Sequence, residues 1–324
     1  MNDKTKKTLI GAGIATVATV AAAGAAAAAV TKYFMRVALD REGPKSVKKT
    51  IDNVSGSTFS GDAFERINNA ATKLEEMSTK TVEITSYDGE KLVGHLLETK
   101  NCKRIIIAMH GWRSCWSKDF GIITPFWQEK DCTILFAEQR GQGQSGGEYM
   151  GFGLTERFDC FEWIKWVIDN VSYTLPIYLV GISMGASTVL MTAGLDLPKN
   201  VHGIMADCGF TSPHDIFKHV SEKNLHLSYG IIGRLAVDIC KKKIQVGTKD
   251  YSTLEAMQCC KVPVLFVHGT DDTFVPIWMT YENYKACVAP KKLLVVPGAQ
   301  HGMSYLVDTQ SYQTASVEFW QKFD

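Results

Sequence analysis

Apolar runs rich in β-branched residues recur along the chain from residue 81 onward, and segments with helical spacing separate them. Five of the later runs are continuously apolar, which is typical of parallel strands covered on both faces. Because strands that alternate with helices form βαβ units, the pattern predicts an α/β domain with a doubly wound, mostly parallel sheet. The predicted strands are TVEITS (81–86), KLVGHLLE (91–98), RIIIAMH (104–110), CTILFAE (132–138), PIYLVGI (176–182), VHGIMAD (201–207), VPVLFVH (262–268) and KKLLVVP (291–297).

The interval 211–261 interrupts this alternation. It contains no convincing strand pattern, and its apolar positions predict two or three helices. An insertion of this length between consecutive strands is often functional. We therefore expect a helical cap over the carboxyl edge of the sheet.

The amino-terminal segment has a different pattern. Residues 8–31 are 24 positions without a charged side chain, and Lys4, Lys6 and Lys7 precede them. A helix of that length spans a hydrocarbon core of roughly 30 Å. Length and charged flanks favour a single membrane anchor, with a cleaved secretory signal and an alanine-rich soluble helix as alternatives. Basic residues are more numerous after the segment than before it, which favours the cytoplasmic side for the remainder.

Three parts of the chain follow from these patterns. Residues 1–35 are the predicted membrane anchor or signal segment, 36–80 a polar helical linker, and 81–324 the main domain, with its cap at about 211–261. The nine cysteines are odd in number, and several lie in apolar runs. That usage is more typical of a cytoplasmic domain than of a secreted one.

Composition narrows the classes of partner. Of the 324 residues, 45% are hydrophobic, and the formal net charge is only +1. Phosphate binding needs a concentrated basic surface, so the balance argues against nucleic acid. No Cys-x-x-Cys pair or Cys/His spacing predicts a zinc site. We therefore expect neither a metal nor an organic cofactor.

Two segments fit the Gly-x-Ser-x-Gly pattern of a serine nucleophile: GQSGG at 143–147 and GISMG at 181–185. Such a nucleophile must follow a buried strand and open a helix, so that it lies on a strained turn above the sheet. GISMG has a buried strand before it and a helical segment after it, whereas GQSGG lies in a glycine-rich loop. Ser183 is therefore the candidate nucleophile, and Ser145 is predicted to be a loop residue.

A serine hydroxyl needs a base to take its proton, and the base needs an orienting acid. Both are expected on loops at the carboxyl ends of parallel strands. The loop after VPVLFVH offers Asp271 and Asp272, and the loop after the last strand offers His301. The chain order Ser, Asp, His is the one found with this type of elbow. The residues alone leave the choice between Asp271 and Asp272 open.

The oxyanion formed during acyl transfer needs two backbone N–H donors. One candidate is Met184, the residue after the nucleophile. The second is Trp112, because His110 and Gly111 allow the backbone after the third strand to turn inward. Simple packing of the indole is the alternative role for Trp112.

Five motifs together resemble the α/β-hydrolase superfamily: HGW, EQRGQGQSGG, GISMGA, HGTDDTFVP and GAQHG. Within it, residues 80–324 resemble the prolyl-oligopeptidase and dienelactone-hydrolase-like or serine-aminopeptidase-like branch, including uncharacterised membrane-anchored bacterial hydrolases. The resemblance implies the α/β-hydrolase fold, with Ser183 as nucleophile and His301 as base. The family pattern His-Gly-x-x-Asp-x-x-Val-Pro falls on residues 268–276 and selects Asp272 over Asp271 as the acid. In the loop 138–145, Glu138 and Gln142 replace the usual Asp and His.

The expected activity is that of a carboxylesterase-like serine hydrolase. It would cleave an ester, or a thioester or amide, of a small acyl substrate through an acyl-enzyme, because esters demand the least of a generic triad. Acyl transfer and peptidase activity on the same triad are alternatives within the enzyme class. A non-catalytic hydrolase fold that binds a ligand is the alternative outside it.

Overall fold

An eight-stranded sheet forms the centre of the molecule in this computed structural model, which describes residues 24–44 and 62–324. The strand order is β1-β2-β4-β3-β5-β6-β7-β8. β2 pairs antiparallel with β1 and β4, and every later pairing is parallel. The bounds are β1 Lys80–Thr85, β2 Lys91–Leu97, β3 Arg104–Met109, β4 Cys132–Ala137, β5 Ile177–Ile182, β6 Val201–Asp207, β7 Val264–Gly269 and β8 Lys291–Val296.

Helices flank the sheet and supply the connections. The predicted strands are all present, with ends within two residues of the expected positions. The helix bounds are α1 24–39, α2 Asp62–Glu75, α3 Trp116–Phe120, α4 Thr124–Glu129, α5 Glu156–Asn170, α6 Met184–Thr192, α7 Pro213–His219, α8 Tyr229–Ile244, α9 Thr253–Gln258, α10 Trp278–Ala286, α11 Ser304–Val307 and α12 Thr309–Phe323.

Two hydrophobic cores cover the two faces of the sheet. Ile105 and Ile107 of β3 pack into one core with α5, α6 and α9, and Ile106 packs into the other with α3, α4 and α12. All six residues of β3 are buried because both of its faces are covered. This is the physical reason that the central strands are continuously apolar in sequence.

The predicted cap is shorter in the structure than in the sequence prediction. Helices α7 and α8, joined by a π-helical turn at Val220–Asn224, pack in a third core above the carboxyl edge of the sheet. Helix α9 lies inside the expected interval, but its Ala256 and Met257 do not pack with the cap. They pack in the core that contains Ile105 and Ile107, on one face of the sheet. We therefore define the cap as residues 213–244.

The expected linker also differs from its prediction. Helix α1 buries Met35, Ala38 and Leu39 in the same core as the cap, and residues 36–42 are held against the main domain. Helix α2 buries Ala71 and Leu74. The described portions of 36–80 are thus integral to the domain rather than a lead-in to it.

The predicted membrane segment lies mostly outside the described residues. Residues 24–31 belong to α1, and residues 8–23 are not described. Within 24–44 and 62–324, no helix has both the length and the apolar character needed to cross a bilayer. Membrane anchoring stays a prediction.

Candidate active site

Ser183 lies on a sharp turn between β5 and α6. Its φ of 56° and ψ of −115° are unusual for a residue with a side chain. Glycine is required on both sides, because a Cβ on Gly181 would lie 2.2 Å from the Gly185 carbonyl oxygen, and one on Gly185 would lie 1.8 Å from that of Met109. The Ser183 N–H donates to the carbonyl of Asp207 on the neighbouring strand at 2.8 Å. The turn is therefore fixed by close packing at the carboxyl edge of the sheet.

His301 reaches Ser183 from the loop after β8. Its Nε2 lies 2.8 Å from the Oγ of Ser183, and its Nδ1 lies 2.6 Å from Oδ2 of Asp272. Three side chains far apart in sequence thus form one hydrogen-bonded row, as the sequence predicts. Nucleophile–base and base–acid contacts within hydrogen-bond reach are the geometry that activates a hydroxyl.

The structure brings Asp272, and not Asp271, to His301. The second oxygen of Asp272, Oδ1, accepts the backbone N–H groups of Phe274 at 3.0 Å and Val275 at 2.8 Å, so the carboxylate is held on both sides. Asp271 is exposed, and its Oδ1 accepts from the hydroxyl of Thr270 at 2.7 Å. The carboxylate beside His301 is therefore both buried and oriented.

Burial and charge have opposite effects on the pKa values of Asp272 and His301. Burial raises the pKa of Asp272, but His301 and a contact from His268 lower it, so that its net pKa lies well below the ordinary value. Burial lowers the pKa of His301, whereas the facing carboxylate raises it well above the ordinary value. The ionised acid therefore stabilises the imidazolium that forms when His301 takes up a proton.

The two predicted oxyanion donors both belong to the part of the chain around the pocket that contains Ser183. Met184 follows it at the first position of α6, and Trp112 lines the same pocket as Ser183. Within the described chain, neither backbone N–H donates to another protein group. The indole Nε1 of Trp112 donates to the carbonyl of Ala38 at 2.9 Å, so its ring is anchored while its amide is free for another role.

A pocket of about 280 Å³ opens at Ser183 and His301. Most of its wall is apolar, and the wall includes Phe64 and Ile67 of α2. The predicted linker thus contributes to the wall of the site, which the sequence analysis did not anticipate.

Comparison with known proteins agrees with this architecture. Residues 118–323 match the model of the prolyl oligopeptidase family, peptidase family S9, which is well over half of the chain. The chain belongs to the prolyl oligopeptidase family. It is 25% identical over 276 residues to the uncharacterized protein YqkD of Bacillus subtilis (strain 168), covering 84% of this chain and 88% of that protein.

Solved structures show the same fold. The Pyrococcus furiosus esterase Pf2001 superposes with a TM-score of 0.64 at 22% identity, over 78% of this chain and 93% of the esterase. Dienelactone hydrolase from Anabaena variabilis gives a TM-score of 0.56 at 16% identity, over 76% of this chain and 98% of its own. The predicted α/β-hydrolase fold is confirmed, and this member of the prolyl oligopeptidase family is a hydrolase by family and fold.

Glu138 and Gln142, the two residues that differ from the family pattern in the loop 138–145, both form hydrogen bonds. Oε1 of Glu138 lies 2.8 Å from Nε2 of His95, and both side chains are buried. Burial raises the pKa of Glu138, but the bonds from His95 and the Gln144 amide bring it below the ordinary value. Oε1 of Gln142 accepts the backbone N–H of Arg113 at 2.6 Å. Both replacements therefore hold the loop in place.

A short segment that we call the strap, residues 37–41, contacts the loop after β3, which carries the candidate oxyanion donor Trp112 and is called the oxyanion loop below. Arg113 donates from Nε and Nη2 to the carbonyl of Val37 at 3.0 and 2.8 Å, and from Nη2 to that of Asp40 at 2.6 Å. Lys243 of the cap pairs with the Asp40 carboxylate at 2.6 Å. The strap thus ties the oxyanion loop to the cap. Arg113 could not be recognised from the sequence, because a basic residue that bonds to distant carbonyls leaves no local pattern.

We expect Arg113→Ala to destabilise the protein, because the strap carbonyls lose a charged donor. Removing it should lower the free energy of unfolding by about 2–3 kcal/mol. For a domain of this size, that loss corresponds to a Tm lower by roughly 3–5 °C in a thermal melt. The control is Arg66→Ala, since Arg66 is exposed and only reaches Asp62 at 3.9 Å. An unchanged Tm in Arg113→Ala would show that the strap is held without the guanidinium.

Cys208 is a further neighbour of the site that the sequence analysis did not single out. Its Sγ, with ligand atoms of Asp272 and His301, falls within a 4.8 Å cluster. These are donor types that bind metals, but burial raises the pKa of the Cys208 thiol to about 11. The oxygens of Asp272 are also taken by His301 and two amides. The cluster therefore fits a hydrogen-bonded row better than a metal site.

Proposed function

We propose that the protein is a serine hydrolase that cleaves a carboxylic ester of a small acyl substrate through an acyl-enzyme. Ser183 is the nucleophile, His301 the general base and Asp272 the orienting acid. The observation that supports this proposal is the unbroken row from Asp272 through His301 to Ser183, at the wall of a pocket large enough for a small substrate.

The reaction would proceed in two halves. Oγ of Ser183 forms a bond to the substrate carbonyl carbon, and its proton passes to Nε2 of His301. The amide N–H groups of Met184 and Trp112 stabilise the oxyanion. Collapse of this intermediate breaks the bond to the alcohol oxygen, which receives the proton from His301. Water then attacks the acyl carbon while His301 takes its proton. The bond between that carbon and Oγ of Ser183 breaks, Oγ receives the proton from His301, and the acid is released.

An ester is favoured over a peptide by the chemistry of the pocket wall. A peptidase that trims amino termini needs a carboxylate free to bind an ammonium group. Among the residues that the structure describes, two carboxylates line the pocket, Asp119 and Asp207. Asp119 accepts from the Gly111 N–H at 2.6 Å and also from the Ser114 hydroxyl, and Asp207 accepts from the Ser304 hydroxyl at 2.9 Å. Burial raises the pKa of Asp207 to about 6, which weakens it further as a cation site.

A fluorophosphonate probe tests the proposal directly, because it reacts covalently with activated serines. We expect stoichiometric labelling of the full chain, with the adduct on the peptide containing Ser183 by mass spectrometry. Labelling should disappear in His301→Ala and persist in His202→Ala, whose ring instead bonds to the Phe323 carbonyl at 2.6 Å. No labelling of folded protein would favour a ligand-binding role for the same pocket.

A further inference from the structure

A second cavity lies between α1 and the cap, on the far side of Trp112 from the pocket at Ser183. We call it the apolar groove; its volume is about 230 Å³. Phe34 and Val37 of α1 form one wall, and Phe217, Val220 and Leu225 of the cap region form the other. No charged residue lines it among the described part of the chain. A cavity of this kind selects an apolar ligand.

Two aromatic side chains lie at the boundary between the groove and the pocket at Ser183. Trp112 and Phe274 line both the groove and the pocket at Ser183. Their rings stack with centroids 6.4 Å apart, and Phe274 meets the ring of His301 edge-on at 5.0 Å. The backbone N–H of Trp112 is also a candidate oxyanion donor. An acyl group bonded to Ser183 is therefore only one layer of side chains from the groove.

The outer end of the groove is apolar and open to solvent. Val30 and Tyr33 of α1 and Leu227 beyond the π-helical turn are 41%, 39% and 37% exposed, and all three line the groove. The chain that leads into α1 continues the uncharged run of residues 8–31. Exposed apolar side chains beside such a run fit a lipid surface better than water.

We propose that the apolar groove holds the alkyl chain of an amphiphilic ester that enters from a lipid surface at Val30, Tyr33 and Leu227. Trp112 and Phe274 would then lie beside the first carbons of the acyl chain, and the ester carbonyl would face Ser183. This proposal rests on the proposed function and narrows its substrate to esters with a medium or long alkyl chain. Helix α1 thereby serves as a wall of the substrate site as well as a structural element.

The length of the substrate's acyl chain is the variable that tests whether the groove binds it. Each methylene buried there should raise kcat/KM about fourfold, the equivalent of ~0.8 kcal/mol. With the full chain in lipid nanodiscs, 4-nitrophenyl octanoate should therefore be cleaved with a kcat/KM at least 100-fold above that of the acetate. Empty nanodiscs supply the background rate. A flat or falling profile from acetate to octanoate would overturn the proposal.

Two substitutions test whether the preference for octanoate over acetate arises in the apolar groove. Leu225→Trp fills the groove, and Val30→Asp places a charge at its exposed end; each should lower the octanoate-to-acetate ratio at least tenfold. The matched control is Val288→Asp, since Val288 is 68% exposed and lies outside the groove. It should leave that ratio as in wild type. If both groove variants keep the wild-type ratio, or change all chain lengths equally, the groove does not hold the alkyl chain.

A binding measurement separates failure of the groove from failure of the proposed chemistry. The fluorescent probe 11-(dansylamino)undecanoic acid should bind the Ser183→Ala protein in nanodiscs, and Leu225→Trp in that background should weaken binding at least tenfold. Probe binding without hydrolysis of any ester would support the groove and reject the proposed function. Ester hydrolysis without probe binding would support the function and reject the groove.

Discussion

Ser183→Ala is expected to lower kcat for ester hydrolysis by about 10⁵- to 10⁶-fold. The alanine removes the proposed nucleophilic oxygen, while the candidate oxyanion donors and the pocket remain. The strained backbone at this position is held by Gly181, Gly185 and the bond to the Asp207 carbonyl, none of which involves the hydroxyl. The folded state should therefore survive, and steady-state kinetics with 4-nitrophenyl butyrate measure the loss.

Ser145→Ala is the matched control, because Ser145 occupies the other Gly-x-Ser-x-Gly segment. Its Oγ accepts the N–H of Val93 at 2.9 Å and donates to the carbonyl of Glu138 at 2.6 Å, deep in the loop. Losing those bonds should lower the free energy of unfolding by about 1–3 kcal/mol. Its kcat should stay within a few-fold of wild type. Equal loss of kcat in both variants would contradict the assignment of Ser183.

The sheet could be predicted because its physical cause is local. Ile105, Ile106 and Ile107 alternate between two cores, and a strand covered on both faces must be apolar at every position. The elbow could be predicted for the same reason, since the two glycines that permit its backbone lie two residues before and two residues after Ser183. The rule that parallel strands end at one edge placed His301 and either Asp271 or Asp272 near Ser183, and the family resemblance selected Asp272.

The strap could not be predicted from the same kind of pattern. Arg113 bonds to carbonyls more than 70 residues away, and a backbone carbonyl is present at every position of any sequence. The apolar stripe of Met35, Ala38 and Leu39 has helical spacing, which indicates that the start of the predicted linker packs against other elements. Because these residues follow shortly after the uncharged run of 8–31, their spacing is difficult to distinguish from that longer apolar pattern.

Asp272→Asn should lower kcat by about 10³- to 10⁴-fold with little change in fold. The amide nitrogen of asparagine can donate to Nδ1 of His301, which leaves the proton on Nε2, facing Ser183. That tautomer cannot accept the serine proton. The matched control is Asp271→Asn, one residue earlier, where the side chain is exposed and bonds only to Thr270 among the described residues. It should keep kcat within about twofold.

The pH dependence of kcat/KM gives the same assignment by an independent measurement. His301 must be neutral to act as a base, so activity should fall as pH drops through its pKa. Asp272 holds the pKa of His301 well above its ordinary value of 6.5, so the wild-type midpoint should lie above 6.5. In Asp272→Asn the opposing charge is gone while burial still lowers the pKa of His301, and the midpoint should move to lower pH. Asp271→Asn should keep the wild-type midpoint, because its carboxylate does not face the imidazole. A midpoint that moves in Asp271→Asn and not in Asp272→Asn would show that Asp271, and not Asp272, is the acid that faces His301.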